Sequence, residues 1–425
     1  MTIAAELASR AVAPLTPQER SHLRTLTLFN IAALLGKKGR IGTLLGSLPL
    51  ADDINSQAFL WASRMHSRTQ DDFMPSGRVH VGAVTLSVAL ALGEHVESEL
   101  LECLAAGYRT VGAVAGVYGR VAQRRGLRPT GVFGPVGAAA VAARALKMDA
   151  AETAAAIGLA ASASAGTNQA WVSGSDEWVL EVGAAARAGL EAAMFVRAGA
   201  AAADEAFEGP AGWGRAYFDD AQASQLTDFL GSDATDPIAA VACKLFPVSG
   251  IAQVATALAR AAHSRLENDT IEDVTVQVSP DELAYPGSAN RLNIVSRSTA
   301  LMSIAFCVAT MLRHGIVRLD SLENPRAGGV ADLMEKVRIV ANPTLRDGTT
   351  QLNVRTTRSE FALEGSADDL LWPTWDRACS EIAELGERCE APTSPLENTA
   401  AELATIEPNA LTVRGELVPW VAQEG

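Results

Sequence analysis

The chain is short of cysteine pairs, aromatic residues, positive charge and long apolar runs, and each shortage closes off a class of protein. Its five cysteines (Cys103, Cys243, Cys307, Cys379 and Cys389) are odd in number, scattered, and contain no C-x-x-C pair. That pattern excludes a disulfide framework and the usual zinc spacings, and it points to a reducing cytoplasm. Each cysteine reads as a small apolar residue in a packed wall. Lys and Arg number 35 against 49 Asp and Glu, a formal net charge of −14, with a pI near 5.0. An acidic balance of this size argues against nucleic acid as a partner, because such binders carry a basic patch or stripe. No uncharged apolar run reaches the roughly 18 residues of a membrane span, so none is expected. The opening MTIAAELASRAVAPL carries Glu6 and Arg10 inside its apolar stretch, which reads as a helix and not as a signal peptide. Neither Gly112, Gly116 and Gly119 nor the GKKGRIG of residues 36–42 has the spacing of a phosphate-binding loop. No repeat and no low-complexity tail is present.

What remains is globular. Hydrophobic residues make up 48% of the 425 and charged ones 20%. A prior of about 150 residues per domain gives two or three domains. Up to about residue 240 the chain is rich in Ala, Leu and Gly. Segments 56–66, 84–94 and 134–146 have helical apolar spacing, and VGAAAVAARAL (136–146) is small and nearly apolar on every side, as helices buried among helices are. After Pro247 the character changes. Residues 251–266 predict a helix, 271–280 alternate like a half-buried strand, and 298–314 predict a helix ending at Gly315. Segments 337–343, 351–357 and 359–365 predict strands, the last two placed to form a hairpin, and 369–388 predicts a final helix. The expected architecture is mainly α. A large all-helical domain (1–245) precedes a smaller α+β domain (246–388), and a segment without clear pattern (389–425) returns to the first domain.

Four segments carry chemistry. HSRTQDDFMPSGRVH (66–80) places His66, Asp71, Asp72 and His80 on one loop leaving a buried helix; carboxylates beside an imidazole suit general acid–base work. The plain alternative is an Asp pair capping the next helix. A metal site is a third reading, although these residues lack a recognised ligand spacing. RRGLRPTGVFGPVGAAA (124–140) reads as an irregular loop entering a helix, with Arg128 suited to clamp a carboxylate. GTNQAWVSGSDEWVLEVGAAARAG (166–189) offers Trp171, Trp178, Asn168 and Gln169 for a pocket wall or for core packing. CKLFPVSGIAQ (243–253) sets Lys244 at the expected domain junction, a favoured place for anionic ligands. The remaining histidines, His22, His95, His263 and His314, sit among polar or helix-end residues.

Taken in order, these segments resemble the MmgE/PrpD family, which includes 2-methylcitrate dehydratase, cis-aconitate decarboxylase and iminodisuccinate epimerase. AFLWASRMHSRTQDD is similar to the family's approach to H-x-x-D-x-D-D, and RRGLRPTGVFGPVGAAA to its R-G-F-H-P-T-G-x-F-G segment. VGAAARAG matches G-x-A-A-x-x-G, and KLFP matches K-x-Y-P. The resemblance implies a cleft between the two domains, a homodimer, and cofactor-free proton chemistry on small carboxylic acids with no metal. It also implies that His80 is the main proton-transfer group, Asp72 its orienting partner, and Lys244 and Arg128 the cations that hold carboxylate.

The departures carry information too. Thr69 stands where the family has its first aspartate and Phe73 where it has threonine. His80 fits the loop histidine with a one-residue shift, Arg128 replaces the histidine of H-P-T-G, Trp178 falls on a lysine position, and Gln253 on a histidine position. Thr69, Phe73, Trp178 and Gln253 thus join Arg128 as expected substrate-binding residues. Fewer cations and more aromatic surface argue against methylcitrate itself. The expected function is a lyase or isomerase for an altered small organic acid. The alternatives are a biosynthetic cyclase or shaping enzyme for a more apolar intermediate, and a non-catalytic binding homologue.

Overall fold

A computed structural model describes residues 1–93, 100–218, 225–230, 236–266, 269–405 and 408–422. Its contacts divide the chain into two units. The first comprises Met1–Thr167, Trp178–Cys243 and Thr374–Gly425, and the second Asn168–Glu177 and Lys244–Pro373. Residues from Thr374 onward are grouped with the helical unit.

The first unit is helical. Helix α1 (Ile3–Ala11) follows the cap Thr2, and α2 (Pro17–Leu35) starts on a capping box in which Thr16 and Glu19 satisfy each other's backbone N–H groups. Helices α3 (Arg40–Gly46) and α4 (Ile54–Ser67) follow, the latter capped by Asp53. Every residue of α5 (Gly82–Leu92) is buried, which explains its lack of a polar side. Helix α6 (Leu100–Arg124) is long and apolar enough to cross a membrane by length and composition alone, and 83% of its most apolar window is buried inside the protein. It packs along α7 (Pro129–Ala145), which in turn packs on α5 and α8 (Ala150–Ala161). The short α9 (Gln169–Ser173) belongs to the second unit. The long α10 (Glu177–Arg197) approaches α4 at Gly183 and α7 at Gly189.

Residues 129–135, expected as loop, are helical: Pro129 occupies the first helical position, and Pro135 sits inside α7. Pro135 has no N–H to donate to the Gly131 carbonyl. Ala165 N–H donates to it at 3.2 Å instead. Helices Trp375–Ser380, Ile382–Cys389, Thr393–Leu403 and Ala410–Ala422 pack on α2. Two expectations are corrected here. Residues 369–388 are broken into short helices around Pro373, and residues 390–425 carry two helices where no pattern was read.

In the second unit, β1 (Ile271–Val278), β2 (Val337–Ala341), β3 (Thr349–Thr356) and β4 (Glu360–Ser366) form one sheet in the order β2-β1-β3-β4. β1 runs parallel to β2 and antiparallel to β3, and β3–β4 is the expected hairpin, with Leu352 opposite Leu363. Val274, Val276, Val278, Leu352 and Val354 bury one face. Helix Gln253–His263 packs on β3 and β4, and helix Ile304–His314 packs on β2. The expected 298–314 helix is interrupted at Ser303, which caps its second part, and it ends on a left-handed Gly315.

Candidate active site

The loop from α4 to α5 builds the site. Helix α4 ends as Thr69 turns into the left-handed region (φ 59°), a conformation that costs a β-branched residue energy and so needs surrounding support. Thr69 donates its hydroxyl to its own neighbour's carbonyl, Arg68 O, at 2.7 Å. The chain then runs through Asp71 and Asp72. Phe73 bridges to Ala242, and Met74 pairs with Val79 across a tight turn. This turn returns the chain so that His80 stands beside Asp72 just before α5 begins.

Successive residues of the extended stretch point to opposite sides. Asp71 faces two imidazoles: its Oδ2 lies 2.9 Å from His66 Nδ1 and 3.1 Å from His80 Nδ1. His80 Nδ1 also lies 2.9 Å from the Asp72 carbonyl oxygen, and its backbone N–H donates to Thr130 Oγ1. Both neighbours of Nδ1 are acceptors, so that nitrogen carries the proton and Nε2 becomes the basic one. The rings of His66 and His80 are 4.5 Å apart. Trp178 meets His66 edge-on at 5.3 Å, and Phe73 lies 6.5 Å from His80. Arg128 caps the start of α7 and points its Nη2 at His66 Nε2, 2.8 Å away.

Asp72 points the other way. Its carboxylate accepts from Asn30 Nδ2 at 2.9 Å, from Gly82 N–H at 2.8 Å and from the Tyr108 hydroxyl, while Asn30 Oδ1 accepts the Asp72 N–H. Burial pushes this carboxyl up to about 6 against the pull of those donors, and Asp71 adds to the rise. Burial likewise raises the Tyr108 hydroxyl and the Cys243 thiol, and the Asp72 charge acts in the same direction on both. Cys243 is therefore a wall residue and not a thiolate. The expectation for Asp72 needs correcting: it orients His80 through its backbone carbonyl, and the carboxylate beside His80 belongs to Asp71.

The first unit thus gathers His80, Arg128, Trp178 and Phe73 around His66, and Thr69 belongs to the same unit with its hydroxyl bonded to Arg68 O. Lys244 and Gln253 belong to the second. Lys244 is its first residue after Cys243 and is buried. Gln253 Oε1 accepts from Leu245 N–H and Phe246 N–H, and its Nε2 donates to Phe246 O and Val248 O. Its amide is spent holding the KLFP turn that follows Lys244, which is what a glutamine supplies that a histidine cannot. His95 lies outside the described residues.

His66, Asp71 and His80 offer metal-ligand atoms within 4.8 Å of one another. The donor set fits a cation poorly, because the Arg128 guanidinium already lies against His66 Nε2 and both Nδ1 positions are bonded to Asp71. Glu181, Asn30 and Tyr108 went unassigned by sequence reasoning, and the first two left a signal. Glu181 stands three residues after Trp178, on the same side of α10, and lies 3.9 Å from Arg128 Nε; that i,i+3 spacing is the signal that would have found it. Asn30, in the middle of an otherwise apolar stretch of α2, gives the other signal, a buried amide that needs partners.

These features coincide with the family matches. Residues 42–226 match the MmgE/PrpD N-terminal domain and residues 246–367 the MmgE/PrpD C-terminal domain. The chain belongs to the MmgE/PrpD family, which is known for dehydratase-type enzymes. No curated protein matches it.

Proposed function

We propose that the protein is a lyase or isomerase that moves a proton at the carbon next to a carboxylate of a small organic acid, with His80 as the catalytic base. One observation carries this reading. His80 is held through Nδ1 by Asp71 and by the Asp72 carbonyl, and its side chain is 12% exposed beside two carboxyl-buried neighbours. An imidazole pinned at one nitrogen presents the other to a ligand in a fixed direction, as a general base must. The substrate C–H proton passes to Nε2, and the electron pair delocalises into the carboxylate as an enediolate. It then expels a β-hydroxyl, which leaves as water by taking the proton that Nε2 has just received, or it is reprotonated on the opposite face by a proton drawn from solvent. In the decarboxylating version the carbon–carbon bond breaks, carbon dioxide departs and leaves the electron pair on carbon, and that carbanion takes a proton from a protonated His80 Nε2. Lys244 is the cation proposed to hold substrate carboxylate. The Phe73 ring near His80 supports an acid more apolar than methylcitrate. It also favours the second reading, a cyclase that shapes an apolar intermediate.

The test is a panel of α-protonated and β-hydroxy carboxylic acids incubated in deuterium oxide and read by mass spectrometry. Loss of water or of carbon dioxide marks a lyase, and deuterium gained in unreacted substrate with inverted stereochemistry marks an epimerase. His80→Gln is expected to lower turnover by about 10²–10⁴-fold. Undiminished turnover in that variant rules His80 out as the base and favours the shaping role.

A further inference from the structure

Arg128 was expected to hold a substrate carboxylate, yet its guanidinium is turned on an imidazole. Nη2 lies 2.8 Å from His66 Nε2, in a pair where both side chains are buried. A guanidinium only donates, so His66 Nε2 must present its lone pair. The neutral ring then carries its proton on Nδ1, which points at Asp71 Oδ2, 2.9 Å away. The same carboxylate oxygen takes the second Nδ1 proton, from His80. Behind Arg128, Glu181 Oε2 lies 3.9 Å from Nε, and Glu181 Oε1 accepts the Thr167 N–H, which keeps the acid in place. The Arg128 backbone is fixed as well, its N–H donating to Gly166 O. Five side chains therefore form one line of alternating character: Glu181, Arg128, His66, Asp71, His80. The edge-on contact of Trp178 with His66 restrains that ring from swinging out of the line.

We propose that Arg128 is a positioning residue for His80, acting through His66 and Asp71: it locks His66 as the Nδ1–H tautomer and so aims the Asp71 carboxylate at His80. Two neighbouring imidazoles are ambiguous as bases. The guanidinium resolves the ambiguity, because it occupies the one nitrogen by which His66 would accept a proton. The direction of catalysis by His80 rests on the function proposed above; the tautomer of His66 does not.

The test is a long-range proton–nitrogen NMR correlation on the full chain labelled with ¹⁵N-histidine, at neutral pH, with His66 assigned by its disappearance in His66→Gln. Wild type is expected to show His66 as the neutral Nδ1–H form. Asp71 still holds Nδ1–H in Arg128→Met, so that variant is expected to let the freed Nε2 take up a proton and turn His66 into the cation, and Arg128→Lys, which still only donates, to restore the neutral Nδ1–H form. A wild-type His66 found as Nε2–H or as the cation overturns the proposal, and this needs no variant to fold. An unchanged Nδ1–H signature in a folded Arg128→Met overturns it equally. The spectra require no substrate, so they separate the two questions. Loss of turnover in His80→Gln with the wrong His66 tautomer sinks the relay alone, and the right tautomer with full turnover in His80→Gln sinks the assignment of His80 alone.

Discussion

At the scale of single residues, two adjacent aspartates do different work. Asp71 serves the imidazoles, and Asp72 is sunk among Asn30, Tyr108 and the start of α5. The Asp72 carboxyl is raised from 3.8 to about 6, so between those values the folded protein holds a proton that the unfolded chain has lost. Its contribution is therefore full below the lower value and is lost as the pH climbs through the upper one, a swing of about 3 kcal/mol. Asp72→Asn, which cannot titrate, is expected to flatten that part of the stability curve. Urea unfolding of both proteins across that pH interval reads the difference, and parallel curves refute it. The sequence revealed that carboxylates and histidines share this loop. It did not reveal which carboxylate faces them, because that depends on the phase of an extended stretch set by the bridge from Phe73 to Ala242, well over a hundred residues away in the chain.

At the scale of elements, apolar spacing marked α4, α5, much of α7, the helices Gln253–His263 and Ile304–His314 and the four described strands, while α2 and α6 were not singled out. It failed at proline. Pro135 reads as a loop residue, yet α7 continues through it because Ala165 supplies the missing donor. Pro419 and Pro395 similarly hid the last two helices. Helix α10 comes close against α7 at Pro135: a Cβ on Gly189 would fall 2.2 Å from the Pro135 carbonyl oxygen and 2.4 Å from Ala138 Cβ. Gly189→Ala is expected to cost about 1–3 kcal/mol, by forcing α7 and α10 apart. Chemical denaturation measures that loss, and a neutral result places the slack elsewhere in the pair.

At the scale of the whole molecule, composition gave the class and little about assembly. The change of character near Pro247 falls close to the observed passage between units at Cys243 and Lys244. The attachment of residues 168–177 to the second unit was illegible, since only tertiary contacts define it. A formal charge of −14 also sets a bulk property. Self-repulsion loosens such a protein at low ionic strength, where charges are felt over about 30 Å, and fades when that range shrinks to about 8 Å. The melting temperature is accordingly expected to rise between roughly 10 mM and 150 mM salt. A fall would mean that exposed ion pairs outweigh the net repulsion.

One buried cation ties these scales together in time. Arg68, the residue before Thr69, donates to Lys37 O, to Arg388 O and to Glu390 Oε1, the last two more than 300 positions downstream. While the chain is being made, that guanidinium has Lys37 O and Gln70 Oε1 at hand, but it lacks the two downstream anchors until nearly all of the chain has left the ribosome. The full set of bonds around the bend that precedes Asp71 and His80 is therefore closed late, by the last stretch of chain to emerge.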